Sequence, residues 1–313
     1  MFGSLYLPIA GNAVNIILLF GLGGIVGFLS GLFGVGGGFL MTPLLIMAGI
    51  PSTVAAASDS AQIVAASTSG SYAHYRMGNV DFKMGFLLLI GGVIGGTVGV
   101  QIIKVLRSMG NADFVIKITY VVMLGVVGFY MFQESLQSLR KKTSEPAPEA
   151  RKVETGKHSI YARMVLSLPL QMKFAKSGVT ISVFLPLILG ILVGILAAIM
   201  GVGGGFIMVP IMVYMLRMPM HVVVGTSLFQ ILFTCINVTV MQSVSNHTVD
   251  MVLAIILLLG STLGAQFGAK VSRKLKADQL KILLASIVLL VMVQMLVDLI
   301  LPPHIMLGYK GGH

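Results

Sequence analysis

Two glycine-rich segments are the first residues in this chain whose types and spacing suggest chemistry. Gly34-Val35-Gly36-Gly37-Gly38-Phe39 recurs as Gly201-Val202-Gly203-Gly204-Gly205-Phe206. Consecutive glycines present backbone N–H groups with no side chain in the way, and they allow positive φ. Each run stands where an apolar helix begins, so the positive end of a helix dipole points at whatever sits there. That is the chemistry of an anion site made from backbone. The same residues also suit a tight turn with close helix packing. If the two tips meet inside the protein the binding reading gains, and Gly36, Gly37, Gly38, Gly203, Gly204 and Gly205 become substrate-binding residues.

A second group follows each segment. Ser58 and Gln62 are four apart and share a helix face. Thr226 and Gln230 repeat the pair, and Asp59 is matched by Ser227. In otherwise apolar stretches such side chains face protein or a cavity rather than lipid. They serve either as hydrogen bonds between helices or as neutral contacts to a substrate; Ser58, Gln62, Thr226 and Gln230 are candidates for the second role. Asp59 is the one ionisable residue expected deep in a span. It is read as an ion-coupling residue, acting by protonation or by binding a cation, with a hydrogen-bonded structural acid as the alternative. No Lys or Arg falls deep in a span, so an anion there must rely on backbone N–H groups and neutral side chains.

The elements that position these residues are membrane helices. Of 313 residues 56% are hydrophobic and 10% charged, against about 25% charged in soluble domains. The mean hydropathy is +0.98. Several apolar runs are about 20 residues long, the length of a bilayer crossing. The net charge of +11 does not indicate nucleic acid, because the basic residues cluster beside apolar runs as cytoplasmic loops do. A single cysteine, Cys235, excludes an internal disulfide and reads as a small buried hydrophobe. The N-terminus lacks a basic stretch, so no cleaved signal peptide is expected. There is no HExxH, serine-nucleophile or Walker motif, and no metal-ligand spacing among the histidines. An enzyme, a cofactor and an ATP-driven pump are therefore not expected.

The duplication covers far more than the glycines. At an offset of 167, from 34 to 201, Gly23, Gly27 and Gly31 match Gly190, Gly194 and Ala198, and Pro43 matches Pro210. Further on, Pro51 matches Pro219, Val80-Asp81 matches Val249-Asp250, and Thr97, Gly99 and Gln101 match Thr262, Gly264 and Gln266. The chain thus divides into a first membrane repeat (1–136), a basic cytoplasmic linker (137–178) and a second membrane repeat (179–313). Helical segments are expected near 14–33, 36–49, 52–72, 82–104 and 114–135, then 180–199, 203–216, 221–243, 249–269 and 281–301.

Five segments per copy is an odd number, so the second copy enters the membrane from the opposite side, the architecture of many secondary transporters. With the linker inside, only Lys104, Arg107, Lys117 and Lys310 of the 21 Lys and Arg fall outside. Both termini then face out. The stretch 36–49 spans roughly 21 Å at about 1.5 Å per residue, short of the hydrocarbon core of about 30 Å. It reads as one arm of a hairpin whose glycine tip stays inside the protein. The expected fold is thus an all-α integral membrane protein of two inverted five-helix repeats, with glycine-tipped short helices meeting near the midplane. Gly91, Gly95 and Gly99, repeated as Gly260, Gly264 and Gly268, read as packing ridges. Gln101 and Gln266, on the same glycine-lined helices, either line a path or are structural, and the structural reading is preferred. His74, Arg76 and Asp81, at a cytoplasmic helix end, read as interfacial anchors and loop-pairing residues.

The duplicated G-x-G-G-G-F-x-x-x-P element, the Ser/Thr-rich helix after it, and Tyr72-Ala73-His74-Tyr75-Arg76-Met77-Gly78-Asn79-Val80-Asp81 resemble the sulfite exporter TauE/SafE family, also called the toluene sulfonate uptake permease family. The resemblance covers both copies. It implies a multi-pass inner-membrane protein that carries sulfite, organosulfonates or related anions by secondary transport, often outward. The second copy reads Ser245-Asn246-His247-Thr248-Val249-Asp250 where the first has its His-Tyr-Arg stretch. A passive anion channel and a membrane-embedded enzyme or assembly factor are the alternatives; the implied partners are a small anion and the lipid bilayer.

Overall fold

The computed structural model describes residues 4–33, 38–141, 170–174, 176–216, 218–272 and 277–300. Gly36 and Gly37, and the linker between 142 and 169, lie outside them. The first repeat runs β1 (Ser4–Leu7), β2 (Asn12–Asn15), α1 (Ile16–Phe33), α2 (Gly38–Met47), α3 (Ser52–Arg76), α4 (Phe82–Ser108) and α5 (Ala112–Lys141). The second runs β3 (Gln171–Phe174), β4 (Val179–Ser182), α6 (Phe184–Met200), α7 (Gly205–Pro210), α8 (Met220–Met241), α9 (Met251–Ser272) and α10 (Ala277–Ile300). π-turns follow α7 (Ile211–Met215) and α8 (Gln242–Asn246).

The fold is dominated by helices, but it is not purely α. Two antiparallel hairpins, β1–β2 and β3–β4, precede α1 and α6. Their turns contain Gly11 and Gly178, both at φ +68 and 167 apart like the two glycine motifs. Strands of four residues are too short to announce themselves by alternation, and the second hairpin crosses position 178, where the sequence reading ends the linker. α5 likewise continues past 137 to Lys141.

The repeats are interleaved rather than laid side by side. α1 packs along α9 and α4 along α6, while α3 meets α8 and α5 meets α10. Each pairing is either a helix with its own counterpart or one member of a matched pair, the pattern of a two-fold relation. Glycine makes the closest pairings possible. A Cβ on Gly95 would stand 2.0 Å from the Ile191 carbonyl oxygen, and one on Gly264 would stand 2.0 Å from that of Gly24. On Gly27 it would stand 2.2 Å from the Ser261 oxygen. Backbones therefore touch where any larger residue would force the helices apart, as the small-residue ridges of membrane helices require.

The opposite faces are apolar and bare. Ile90, Ile94, Val98 and Ile102 form an exposed stripe on α4, and Ile255, Leu259, Leu263 and Phe267 form one on α9. Among the described residues four helices are long and apolar enough to cross a membrane alone: α4, α5, α8 and α9. The segment that carries Asp59, α3, is not among them. It is rich in Ser, Thr and Ala, and residues 52–60 are buried almost without interruption. It lies inside the bundle.

Candidate functional site

The two glycine motifs meet. Phe39, first after Gly38, stacks on Phe206, first after Gly205, with ring centroids 4.3 Å apart and planes 14° from parallel. A Cβ on Gly38 would stand 2.4 Å from Ile63 Cδ1, and one on Gly205 would stand 2.5 Å from Ile231 Cδ1. The second motif requires its glycines for conformation too. Gly201, Gly203 and Gly204 have φ of +74, +69 and +79. Gly201 also lies against α3, where a Cβ would be 2.1 Å from the Ala56 carbonyl oxygen. Turn geometry and close packing therefore account for these glycines, and their N–H groups open α7 beside the stacked rings. Pro43 in α2 and Pro210 at the end of α7 free the carbonyls four residues back, those of Phe39 and Phe206, from helical pairing.

The polar residues of α3 and α8 divide between two faces. The Ser58 hydroxyl accepts the backbone N–H of Asp250 at 3.0 Å, and the Thr226 hydroxyl accepts that of Asp81, also at 3.0 Å. Gln62 donates to Ser261 of α9 at 2.7 Å. Gln230 donates to Thr234 at 2.8 Å, beside Gly92 of α4, and its Oε1 is buried with no partner. Ser58 and Gln62 thus face α9, while Thr226 and Gln230 face α4. Ser58, Gln62 and Thr226 bond a central helix to the fourth helix of a repeat, while Gln230 bonds within α8 and packs beside α4.

Asp81 and Asp250 complete these fastenings. Asp81 begins α4, its Oδ1 accepting the Met84 N–H at 3.3 Å. Its Oδ2 accepts the Ser177 N–H at 3.0 Å and hydroxyl at 2.6 Å, in the turn of the β3–β4 hairpin. Asp250 begins α9 through Val252 and Leu253 and accepts the Ile9 N–H from the β1–β2 turn. Each aspartate joins a helix start to the hairpin of the opposite repeat. Asp81 is buried, and its bonds to the Ser177 turn are of the loop-pairing kind expected of an aspartate at a helix end. The turn before it packs against α8, where a Cβ on Gly225 would stand 2.6 Å from the Asn79 carbonyl oxygen. Lys176 donates to the Gly78 and Val80 carbonyls of the same turn.

Asp59 points elsewhere, toward α2 and α5. It is fully buried. Its Oδ2 accepts the Thr42 hydroxyl at 2.9 Å, and its Oδ1 has no partner. Tyr120 of α5 is fully buried, and its hydroxyl donates to the Met200 carbonyl at the end of α6. Ser60, beside Asp59, donates to the Ala56 and Gly201 carbonyls. Thr42, Ser60 and Tyr120 escape a reading of the sequence by motif. The signal for two of them is the duplication: Val209 and Leu228 stand where the first copy has Thr42 and Ser60.

Two side grooves open on the bundle surface. One is lined by Thr97, Val98, Gln101 and Ile102 of α4; the other by Ser71, Tyr75, Phe82 and Phe229, inside a network of edge-on aromatic rings. Neither includes the glycine tips. Cys235 is buried against Ile63 and Ile231. Among the described residues, no three His, Cys, Asp or Glu approach closely enough to hold a metal ion.

Interleaved helical repeats, backbone-to-backbone glycine ridges and bare apolar outer stripes define a multi-pass membrane protein. The chain matches the family model "Sulfite exporter TauE/SafE" over residues 19–295, and it belongs to that family. It is 25% identical to "Probable membrane transporter protein YunE" of Bacillus subtilis, over 91% of this chain and 98% of the relative. It is 26% identical to "Probable membrane transporter protein YjnA" of the same organism, over 88% and 97%. A shorter match, 31% identical over 29% of this chain and 21% of the relative, is to "Sulfite exporter TauE/SafE family protein 5" of Arabidopsis thaliana. No solved structure matches significantly.

Proposed function

We propose that the protein is a secondary transporter that exports a small anion, sulfite or an organosulfonate, across the inner membrane. Its repeats lie in opposite orientations, with the linker in the cytoplasm and both termini outside. The stack of Phe39 on Phe206 carries this reading, because it brings the starts of two short helices together inside the bundle. A helix start carries about half a positive charge, so two of them offset one negative charge without a Lys or Arg. Gly38 and Gly203–Gly205 supply N–H groups there; Gly36 and Gly37, outside the described residues, belong to the same candidate set. Ser58 and Thr226 each accept one hydrogen bond and keep a proton to donate; with Gln62 and Gln230 they border the path and set its polarity. Such a site suits an oxyanion of low charge. Asp59, on the other side of α3, is the ion-coupling residue.

The test is efflux of labelled sulfite, taurine and simple carboxylates from proteoliposomes that hold only this protein. A carrier shows counterflow, with unlabelled anion outside driving labelled anion across against its gradient. Dissipation without counterflow identifies a channel, and no flux of any of these anions overturns the proposal. For orientation, Ser4→Cys and Ser144→Cys are expected to label from opposite sides of the membrane; labelling from one side removes the inverted arrangement.

A further inference from the structure

We propose that Asp59, Thr42, Tyr120 and the C-terminal end of α6 form a binding site for a monovalent alkali cation, with sodium as the probe. The proposal rests on the ion-coupling reading of Asp59 and names the class of ion.

The argument is a count of hydroxyl protons. Thr42 gives its proton to Asp59 Oδ2. Tyr120 gives its proton to the Met200 carbonyl. Ser60 shares its proton between the Ala56 and Gly201 carbonyls, at 3.1 and 3.3 Å. Every hydroxyl proton in the cluster is already spent on an acceptor. What remains is lone pairs: those on the Thr42 and Tyr120 oxygens, and those on Asp59 Oδ1, which is buried without a partner. A buried carboxylate oxygen left this way is costly unless something positive shares the space.

The field has the same sign. α6 is a 17-residue helix that ends at Met200, so its negative end faces Tyr120 and Ser60, whose hydroxyls bond to the Met200 and Gly201 carbonyls. The Tyr120 bond to Met200 fixes the juxtaposition. Among the described residues Asp59 has no ion-pair partner, and its one hydrogen bond comes from Thr42. α2 and α6 contain no charged residue. On α5, Lys117 lies one turn before Tyr120 and is partly exposed. On α10, which packs against α2 and α5, the cation is Lys281, in the second turn of the helix.

Carboxylate, hydroxyl and carbonyl oxygens are hard donors that suit alkali and alkaline-earth cations. One carboxylate balances one positive charge, which selects a monovalent ion over calcium or magnesium. A proton on Oδ1 would cancel the charge as well, donating to one of the free lone pairs, and it is the competing occupant that the experiment separates from a metal cation. A broken helix whose C-terminal end meets a buried acid is also where coupling ions bind in other transporter folds. The second repeat lacks the site: Val209 and Ser227 replace Thr42 and Asp59.

The experiment is thermal stability of the purified full-length protein in detergent, titrated with sodium, potassium or choline chloride at constant ionic strength and at two pH values. A ligand that binds only the folded state raises Tm saturably. Sodium is expected to do so and choline not. Asp59→Asn is expected to abolish the sodium effect, and Thr42→Val to raise the half-saturating sodium about tenfold, the worth of one good polar contact. If sodium and choline act alike and stability follows pH alone, a proton occupies the site and the proposal fails. It also fails if Asp59→Asn keeps the sodium response. Should Asp59→Asn not fold, an unshifted sodium titration in Thr42→Val overturns the proposal by itself. The readout is binding, so it separates from the transport reading. Sodium binding with sodium-independent efflux removes the coupling and leaves the site; sodium-coupled efflux without binding at these residues removes the site and leaves the coupling.

Discussion

In the first repeat the hydroxyl on the central helix is Ser58, and in the second it is Thr226. Each receives a backbone N–H from the aspartate that starts the fourth helix of the opposite repeat. The aspartates, Asp250 and Asp81, each hold a hairpin turn. Phe39 and Phe206 face each other as equals. One turn away from these matched parts the halves diverge. The first carries Asp59 with Thr42 and Ser60; the second has Ser227, Val209 and Leu228. The difference separates two jobs. Parts that join the repeats must be duplicated, since a two-fold arrangement uses each joint twice. A fully buried acid on the central helix occurs in the first repeat alone, as Asp59, where the second has Ser227. The turns before the fastening aspartates differ as well. The first docks its Asn79 carbonyl on Gly225. The second is a π-turn closed by His247 at φ +50, with Arg107 reaching over to the Asn246 carbonyl.

The comparison can be broken most severely at the aspartates. Asp81→Ala and Asp250→Ala each remove a helix cap and strand buried N–H groups, a loss of about 3 kcal/mol apiece. Both are expected to lower Tm to a similar extent; a mild effect in one repeat alone would show that the fastenings are not equivalent. Gly95→Ala and Gly264→Ala come next, at about 2 kcal/mol each from overpacked backbone contact. Crosslinking between α4 and α6, and between α1 and α9, checks whether the same pairs loosen. Phe39→Leu and Phe206→Leu are expected to cost about 1 kcal/mol each beyond lost area, and the double mutant little more than either single, because the two rings make one contact. Ser58→Ala and Thr226→Ala are worth about 1 kcal/mol each, read as anion affinity and as Tm. The smallest effect belongs to Ser227→Ala, which removes only a hydroxyl bonded to the Val224 carbonyl of its own helix; it is expected to cost about 0.5 kcal/mol and to leave sodium dependence unchanged. If it changes that dependence as Asp59→Asn does, the asymmetry between the repeats is false.

Much of this was legible from residue order because it repeats. The 167-residue offset, the five helical segments per copy and the glycine ridges follow from local pattern. Apolar length marks a helix, and a small residue every fourth position marks a contact face whether or not its partner is known. The family is legible for the same reason, since its motifs are contiguous. The partners were not legible. That Ser58 belongs to Asp250 and Thr226 to Asp81 depends on which helices interleave, and those pairs lie far apart in the chain. The hairpins at Ser4–Asn15 and Gln171–Ser182 were missed because four-residue strands carry too little periodicity. Asp59 was visible as a lone acid, but its surroundings were not: Thr42, Tyr120 and the Met200 carbonyl are brought to it by three separate helices. Sequence determines which groups must leave water, because side-chain polarity is a local property. Only the tertiary structure decides what each buried group meets, because the hydrogen bonds that satisfy it come from whichever backbone the packing brings within about 3 Å.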